Sequence, residues 1–573
     1  MDATLHSLLM RAADQNESNT GYRYLDRRER ETFRTYPDVV DRAGRIASGL
    51  SRRGVRPGDT VAIVLPTTPD FTDVFFACSF IGAIPVPLYP PVRLGRLDEY
   101  FVRTARMLKV ADAAILVTDR RAGKLMGSVV AKFMPRAGVE RVDSLVEEPP
   151  STANPPTPDD IAMVQFSSGT TGHPKPVALT HRQVLANADA ILDIVPEDST
   201  VKPSGVSWLP LYHDMGLIGC VMPAVLHCAE LTLIPPEAFL AKPSIWLRAI
   251  GRYGALISPA PNFAYALATE RIVDEELDGV DLSCWKYALN GAEPVNAATM
   301  RAFTDRFSAW GLCPEALNPV YGLSEASLAV TFADGQRPFR SVVFDRDALG
   351  AGRAEASESG VELVSVGRPI RGFDVRIRDE SGEAVADGCV GNIWVRGPSV
   401  MERYLDNSPP PKDGEWLDTG DCGFLFSSEL YITGRRKDVI VVRGQNHSPQ
   451  SIELAVDDVN GVRTGCSAAV SSLDADGERV LVFVETRANA AADLAEQCRL
   501  AILSSSGINP DLVVPVSAGT LPRTSSGKIR RRETLRRWNA GELTPPAEVT
   551  PLHLAGAMAK SAWSTWVHKV KRD

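Results

Sequence analysis

The sequence lacks paired cysteines, long apolar runs and an excess of basic charge. Its nine cysteines are scattered through 573 residues without a C-x-x-C pair, which argues against zinc-ribbon and thioredoxin-like sites and favours buried thiols. No uninterrupted apolar run of about 18 residues is present, so we expect no membrane span. Residues 1–11 have neither a basic leader nor a long apolar stretch. A secretory signal is therefore not expected, and the predicted location is cytoplasmic.

The charge and the absence of repeats exclude two further classes. The net charge is -9, with both signs interspersed, whereas a nucleic-acid-binding protein would concentrate basic residues on one face. No internal repeat of fixed period is present, which sets solenoids and propellers aside. Any anionic ligand must therefore be bound by local groups.

The length and the hydrophobic patterns predict several α/β units. At roughly 150 residues per unit, the chain has room for three or four of them. Helical spacing over residues 39–52 and 71–81 flanks a strand pattern over residues 61–65. This alternation predicts α/β layers. Closely spaced turn signals from Asp379 onward predict a β-rich subdomain, and the pattern returns to a small α/β unit after Gly434.

The sharpest motif covers residues 161–181, IAMVQFSSGTTGHPKPVALTH. An apolar strand runs into a loop of small residues whose backbone N–H groups can surround a phosphate chain. It is not a Walker A loop, because the spacing from Gly169 to Lys175 differs and Pro174 and Pro176 oppose a helix beside the lysine. The alternative is a solvated linker. We predict a polyphosphate site formed by Ser167, Ser168, Gly169, Thr170, Thr171, Gly172 and Lys175.

Four further motifs follow in order. They are NPVYGLSEA at residues 318–326, DTGD at 418–421, GRRKDVIVVRG at 434–444 and LPRTSSGK at 521–528. With the loop, this series resembles the adenylate-forming superfamily of acyl-CoA synthetases, luciferases and peptide-synthetase adenylation domains. The resemblance implies an N-terminal AMP-binding domain (1–434) of two stacked α/β subdomains plus the β-rich one. It also implies a small mobile α+β domain (435–540), followed by a tail (541–573).

The resemblance also assigns the nucleotide site. Tyr321 is expected to stack on adenine, Asp421 to bind the ribose hydroxyls and Arg435 to contact ribose or phosphate. Glu325 is expected to hold Mg²⁺, since carboxylates are hard oxygen ligands. Taken singly, Glu325 is also compatible with a helix-start carboxylate, and Asp421 with a turn residue. The remaining residues assigned to the site are Gly291, Ala292, Glu293, Asn318, Gly322 and Ser324.

The catalytic group implied by the resemblance is Lys528. In the expected reaction, ATP and a carboxylic acid give acyl-AMP and pyrophosphate, and Lys528 and Mg²⁺ offset charge in the transition state. No general base is needed, because a carboxylate is ionised at pH 7. Lys437 is implied as the hinge about which the small domain turns after adenylation.

Other segments resemble the fatty acyl-AMP ligase branch. They are VPLYPP at residues 86–91, SWLPLYHDMGLIG at 207–219, PNFAY at 261–265 and RGQNHSP at 443–449. His213 is implied at the junction of the nucleotide and acyl sites, with a core histidine as the alternative. Pro261, Asn262, Phe263 and Tyr265 are implied in the acyl pocket, although the aromatic pair would serve a core equally well.

An insertion in the sequence bears on which molecule accepts the acyl group. Residues 336–366 stand where this branch has a segment that restrains the small domain and disfavours CoA; the alternative is a surface loop. The implied acceptor is the phosphopantetheine thiol of an acyl carrier protein, or of a polyketide or peptide synthase. The regular SGTTG loop and Pro176 are more typical of CoA ligases, and Ser448 stands where the branch usually has tyrosine. The alternatives are an acyl-CoA synthetase or natural-product adenylase that uses CoA, and a catalytically silent homologue.

Overall fold

The structure of the protein is a computed structural model. It describes residues 4–15, 19–91, 94–146, 155–167, 174–195, 204–442, 445–457, 459–474, 477–488, 490–524, 527–546 and 561. The predicted tail therefore lies mostly outside the described residues. None of the described helices is long and apolar enough to cross a membrane.

The first part of the chain contributes most of the strands. They are β1 (Gly21–Leu25), β2 (Glu31–Thr35), β3 (Thr60–Val64), β4 (Ile84–Pro87), β5 (Ile115–Thr118), β6 (Val139–Arg141), β7 (Ile161–Phe166), β8 (Pro176–Thr180), β9 (Ser204–Ser207), β10 (Glu230–Leu233), β11 (Ile257–Ala260), β12 (Tyr287–Asn290), β13 (Leu317–Gly322), β14 (Ala329–Phe332), β15 (Ser341–Phe344), β16 (Val361–Val364), β17 (Arg368–Pro369), β18 (Asp374–Arg378), β19 (Gly391–Arg396), β20 (Arg403–Tyr404), β21 (Lys412–Asp413), β22 (Trp416–Phe426) and β23 (Glu429–Arg435).

The helices of this part connect and cover those strands. They are α1 (Leu5–Asp14), α2 (Tyr36–Arg52), α3 (Pro69–Phe80), α4 (Leu97–Val110), α5 (Gly123–Val130), α6 (Val142–Leu145), α7 (His181–Ile191), α8 (Asp214–Gly216), α9 (Met222–Leu226), α10 (Pro236–Ala241), α11 (Ser244–Tyr253), α12 (Asn262–Arg271), α13 (Ala297–Phe307) and α14 (Arg346–Gly350). A π-helical segment, Leu217–Val221, joins α8 to α9.

Two largely parallel sheets form the α/β layers. The larger has the order β17-β14-β13-β12-β11-β9-β10-β1-β2, and the smaller has the order β4-β3-β5-β6. The strands from β13 to β1 in the larger sheet run parallel, with antiparallel pairs at both ends. Helix α3 packs beside the smaller sheet and is buried over residues 71–80, as expected for a helix that is apolar on every side. The predicted α/β class is confirmed.

Helix α7 begins with a capping box that follows directly from its sequence. The Thr180 side chain accepts from the Gln183 N–H, and the Gln183 side chain accepts from the Thr180 N–H at 2.9 Å. These two bonds satisfy donors that the first turn of a helix leaves open. Further along α7, Asn187 is fully buried and pairs with both the N–H and the carbonyl of Ala329 at 2.9 Å.

Antiparallel strands follow the α/β layers, in the region where the sequence predicts a β-rich subdomain. Strands β18, β19, β22 and β21 form one sheet, with β23 paired to β22. Strands β15 and β16 form a separate two-stranded sheet with α14 after its first strand. This small unit falls within residues 336–366, the predicted insertion.

The C-terminal part forms a smaller unit with its own core. Its elements are β24 (Ile440–Val442), β25 (Gln445–His447), α15 (Pro449–Asp457), β26 (Val462–Asp474), β27 (Gly477–Thr486), α16 (Leu494–Ser506), β28 (Leu512–Val516) and α17 (Arg531–Asn539). Strands β26, β27 and β28 form a sheet whose apolar side chains pack on α15 and α16.

An aromatic cluster lies behind the larger sheet. Trp246 is fully buried, and its ring packs edge-on against Tyr265 and Trp285, with centroids 5.5 and 5.2 Å away. Tyr265 is also fully buried, and its hydroxyl donates to the Leu289 carbonyl at 3.1 Å. Its ring therefore contributes to the core.

We predict a graded loss of stability at Tyr265. Tyr265→Phe keeps the ring and removes one buried hydrogen bond, so the free energy of unfolding should fall by about 1 kcal/mol. Tyr265→Ala also removes the ring and should cost about 3–5 kcal/mol. Urea unfolding followed by tryptophan fluorescence measures both values. Equal losses in the two variants would contradict a packing role for the ring.

Candidate active site

A cavity of about 160 Å³ lies at the carboxyl ends of parallel strands in the larger sheet. This edge is where open α/β sheets bind ligands. The cavity lining combines polar and apolar residues. It includes the polar or charged residues Ser167, His213, Asp214, Tyr321, Ser324, Glu325, Thr419, Asp421, Arg435 and Lys528, and the apolar or small residues Ile191, Met215, Gly219, Pro259, Leu289, Ala292, Val320, Gly322, Leu328 and Phe332.

The predicted phosphate loop borders this cavity at its first residue. Ser167 follows β7, and its N–H donates to the Lys175 carbonyl at 2.9 Å. Pro176 begins β8, a strand position that tolerates a missing N–H. The Lys175 ammonium lies 4.6 Å from the ring centroid of Tyr404, within cation–π range. The loop residues Ser168, Gly169, Thr170, Thr171 and Gly172 lie outside the described residues.

Two residues predicted for the nucleotide site, Tyr321 and Arg435, contact the carboxylate of a third, Asp421. The Tyr321 hydroxyl donates to Asp421 Oδ2 at 2.8 Å. Arg435 Nε lies 3.1 Å from Asp421 Oδ1. The Asp421 carboxylate, near the middle of β22, is thus joined both to the end of β13 and to the last residue of β23. Each carboxylate oxygen retains a further lone pair with which to accept a hydroxyl group.

Glu325 lies on a tight turn after β13. Its backbone carbonyl accepts from the Met401 N–H at 2.8 Å, and the Tyr404 hydroxyl lies 3.4 Å from its Oε1. Burial raises the pKa of Glu325, while Arg435 and Lys175 act to lower it. No group of three or more acidic, cysteine or histidine side chains suited to a metal was found in the described part of the chain. A single hard carboxylate in this position fits Mg²⁺, which usually takes one or two protein carboxylates and completes its shell with phosphate and water.

The backbone around this turn leaves no room for added side chains. A Cβ on Gly322 would lie 1.8 Å from the Leu328 carbonyl oxygen, and one on Gly291 would lie 2.6 Å from Val320 Cγ2. Ala292 adopts a φ of 66°, in the left-handed region that non-glycine residues rarely occupy. Such backbone strain concentrates at functional sites.

Two other predicted nucleotide residues make structural contacts. Asn318 is fully buried at the start of β13 and donates to the Ala316 carbonyl at 2.7 Å. It does not belong to the cavity lining. Glu293 Oε1 accepts from the Phe263 N–H at 2.6 Å. Burial raises the pKa of Glu293, and Lys528 acts to lower it.

Lys528 enters the cavity from the C-terminal part of the chain. Its loop is held by two contacts with Thr524, whose N–H donates to the Lys528 carbonyl at 2.8 Å and whose hydroxyl accepts from the Lys528 N–H at 3.0 Å. Burial lowers the pKa of the ammonium group, and Arg435 lowers it further, whereas Asp214 acts in the opposite direction. The structure therefore brings Lys528 together with the predicted ribose and metal residues.

The four residues predicted for the acyl pocket lie outside the cavity lining. Pro261, Asn262, Phe263 and Tyr265 come at or near the start of α12. The Asn262 side chain accepts from Asn290 and from the Asn296 N–H at 3.2 and 3.1 Å. The apolar residues of the cavity lining come instead from α7, α8, the π-helical segment and the ends of β11, β12, β13 and β14.

Sequence reasoning missed three polar residues at or beside the site: Asp214, Thr419 and Tyr404. Asp214 stands beside His213, and Thr419 lies within the DTGD motif, so adjacency to a predicted residue was the available signal for both. Tyr404 contacts both Lys175 and Glu325 through the pairing of β20 with β8, and no sequence motif marks it. The predicted hinge, Lys437, is exposed in a 3-10 turn (Arg436–Asp438) directly after β23.

Comparison with protein families and curated proteins gives consistent matches. A family described as AMP-binding enzyme matches residues 10–405, and one described as Disco-interacting protein 2-like, AMP domain, matches residues 437–547. The chain is 34% identical to a 4-hydroxyphenylalkanoate adenylyltransferase of Mycobacterium marinum, over 94% of this chain and 91% of the relative. It is also 34% identical to the long-chain-fatty-acid-AMP ligase FadD26 of the same organism, over 94% and 98% of the two chains.

Solved structures agree with these matches. A structure from studies of fatty acyl-adenylate ligases of E. coli and L. pneumophila superposes with a TM-score of 0.87 at 31% identity, covering 94% of this chain and 98% of the other. The McyG A-PCP structure with phenylalanyl-adenylate gives a TM-score of 0.83 at 26% identity, covering 94% and 95%. These matches show that the chain belongs to the family of AMP-binding enzymes, as an acyl-adenylate-forming ligase.

Proposed function

We propose that the protein is a fatty acyl-AMP ligase that passes its acyl group to a carrier protein. The observation that carries the adenylation chemistry is the position of Lys528, which shares one cavity with Glu325, Asp421 and Arg435. The apolar residues in the lining of the same cavity support an acyl group as the second substrate. Relatives named for long-chain fatty acids and for 4-hydroxyphenylalkanoates support an apolar acid.

The chemistry is a displacement at the α-phosphorus of ATP. An oxygen of the substrate carboxylate forms a bond to this phosphorus while the bond to the bridging oxygen of pyrophosphate breaks, so negative charge spreads over oxygens at both ends. The Lys528 ammonium offsets that charge in a partly desolvated site. Mg²⁺ held by Glu325 would neutralise phosphate charge when bound. Asp421 and Tyr321 orient the nucleoside, which supplies much of the rate by positioning.

The position of the insertion supports a carrier protein as acceptor. The Arg346 guanidinium, on α14, donates to the Ser505 carbonyl at the end of α16, and Arg301 of α13 pairs with Glu362 of β16. The insertion thus touches both the large and the small unit, as a segment that restrains domain movement must. A second candidate acceptor is CoA, which the regular SGTTG loop favours.

A two-acceptor assay tests this proposal. The protein is incubated with ATP, Mg²⁺ and a panel of fatty and 4-hydroxyphenyl acids, followed by either CoA or a carrier protein bearing phosphopantetheine. We expect acyl-AMP that persists with CoA and disappears with the carrier. Formation of acyl-CoA would assign the second acceptor, and absence of adenylate with every acid would refute adenylation.

We predict that Lys528→Ala abolishes measurable adenylation. Acid-dependent ATP–pyrophosphate exchange should fall on the order of 100- to 1000-fold, because the transition state loses its main cationic partner from the protein. ATP affinity, measured by equilibrium binding, should barely change. Arg532→Ala, an exposed change on the neighbouring helix α17, serves as the control. Near-normal exchange in Lys528→Ala would remove this residue from catalysis.

We predict that Lys437→Pro separates the two half-reactions. Proline restricts the backbone φ to about -65°, so it should prevent the rotation that a hinge requires while leaving the present arrangement intact. Pyrophosphate exchange should stay within about two-fold of wild type, and acyl transfer to the acceptor should be lost. Lys437→Ala keeps backbone freedom and should retain both activities. Equal loss of both half-reactions in Lys437→Pro would refute the hinge.

A further inference from the structure

The carboxylate of Asp214 is a buried charge in the cavity lining. It lies next to His213 and is 5% exposed. Oδ1 lies 2.6 Å from His213 Nδ1, and Oδ2 accepts from the Ser324 hydroxyl. The Met215 N–H also donates to Oδ1, at 2.7 Å. Every contact of the carboxylate is thus with a residue of the cavity lining.

Asp214 determines how the His213 ring is presented. Burial raises the pKa of Asp214, but His213, the Ser324 hydroxyl and Lys528 together outweigh burial and lower it to about 2. The carboxylate is therefore ionised and can only accept. His213 Nδ1 must carry the proton in the 2.6 Å contact, because its other neighbour, the Met215 N–H, is 3.4 Å away and already bonds Asp214. The remaining nitrogen, Nε2, is left for the cavity.

The same carboxylate acts on two other parts of the site. Its bond to Ser324 ties the segment after β9 to the turn that carries Glu325. Its charge also favours the ammonium form of Lys528, opposing burial and Arg435, and Glu293 and Asp421 act in the same sense. A neutral side chain of the same shape would keep the packing and lose these electrostatic effects.

We propose that Asp214 is a positioning residue for adenylation, which orients Nε2 of His213 toward the reacting carboxylate. This inference rests on the adenylation proposed above and on the role of His213. Asp214 itself forms and breaks no bond in the reaction. It acts through its neighbours, as the carboxylates behind functional histidines do in other sites.

The test compares Asp214→Asn with Asp214→Glu in acid-dependent ATP–pyrophosphate exchange over a range of pH. In Asp214→Asn the maximal rate should fall by about 10- to 100-fold, with the KM for ATP within about two-fold of wild type. The alkaline limb of its rate profile should move to lower pH, because Lys528 loses a negative neighbour and deprotonates more readily. Asp214→Glu retains the charge, so its alkaline limb should stay at the wild-type position even if its rate falls.

Two controls separate positioning from stability. Adding Asp214→Asn to His213→Ala should lower the rate by much less than it does in wild type, because residues that act together are not additive. Asp73→Asn replaces another fully buried carboxyl group, in α3 and away from the cavity lining, whose pKa burial raises to about 7. It should leave the exchange rate and its pH profile unchanged, whatever it does to thermal stability.

Two kinetic outcomes would overturn the inference while leaving adenylation intact. One is a wild-type rate and pH profile in Asp214→Asn. The other is a full additional loss when the change is combined with His213→Ala. Failure of the wild-type protein to adenylate any acid would instead overturn the proposed function and this inference together.

Discussion

Four carboxylates lie in or beside one small cavity, and two cations that act on them come from the end of β23 and from the loop before α17. The carboxylates are Asp214, Glu293, Glu325 and Asp421, and the cations are Arg435 and Lys528. Burial raises the pKa of two of these carboxylates, so their charges are unfavourable without partners. The small unit therefore contributes the Lys528 ammonium to a group of carboxylates that otherwise belongs to the large unit.

The parts of this arrangement that sequence could predict are those with local or ordered signals. The periodicity of residues 61–65 and 71–81 predicted β3 and α3, because burial of a short segment depends on its own pattern. The ordered motifs predicted that Tyr321, Asp421 and Arg435 belong to one site, and the structure joins all three by direct contacts. Because the motifs occur in a recognisable order, they linked residues that are far apart in the sequence.

The sequence could not predict which way individual side chains face or which distant strands pair with each other. The rotation of α12 turns Tyr265 into the aromatic cluster, and an apolar residue near a binding motif gives no sign of which side it will face. Tyr404 reaches Lys175 only because β20 pairs with β8. The domain limits at 434 and 540 and the roles of individual site residues stay predictions, to be decided by the variants described above.

The seam between the two units has a further physical consequence. Arg537 pairs with Glu99 at 2.9 Å, Arg487 pairs with Glu270 at 2.8 Å, and Arg96 donates to the carbonyls of Thr520 and Thr544. These contacts are ion pairs and polar hydrogen bonds. Dissolved ions weaken solvent-accessible pairs such as Arg487–Glu270. In the proposed movement of the small unit, a higher ionic strength would therefore favour separation of the two units.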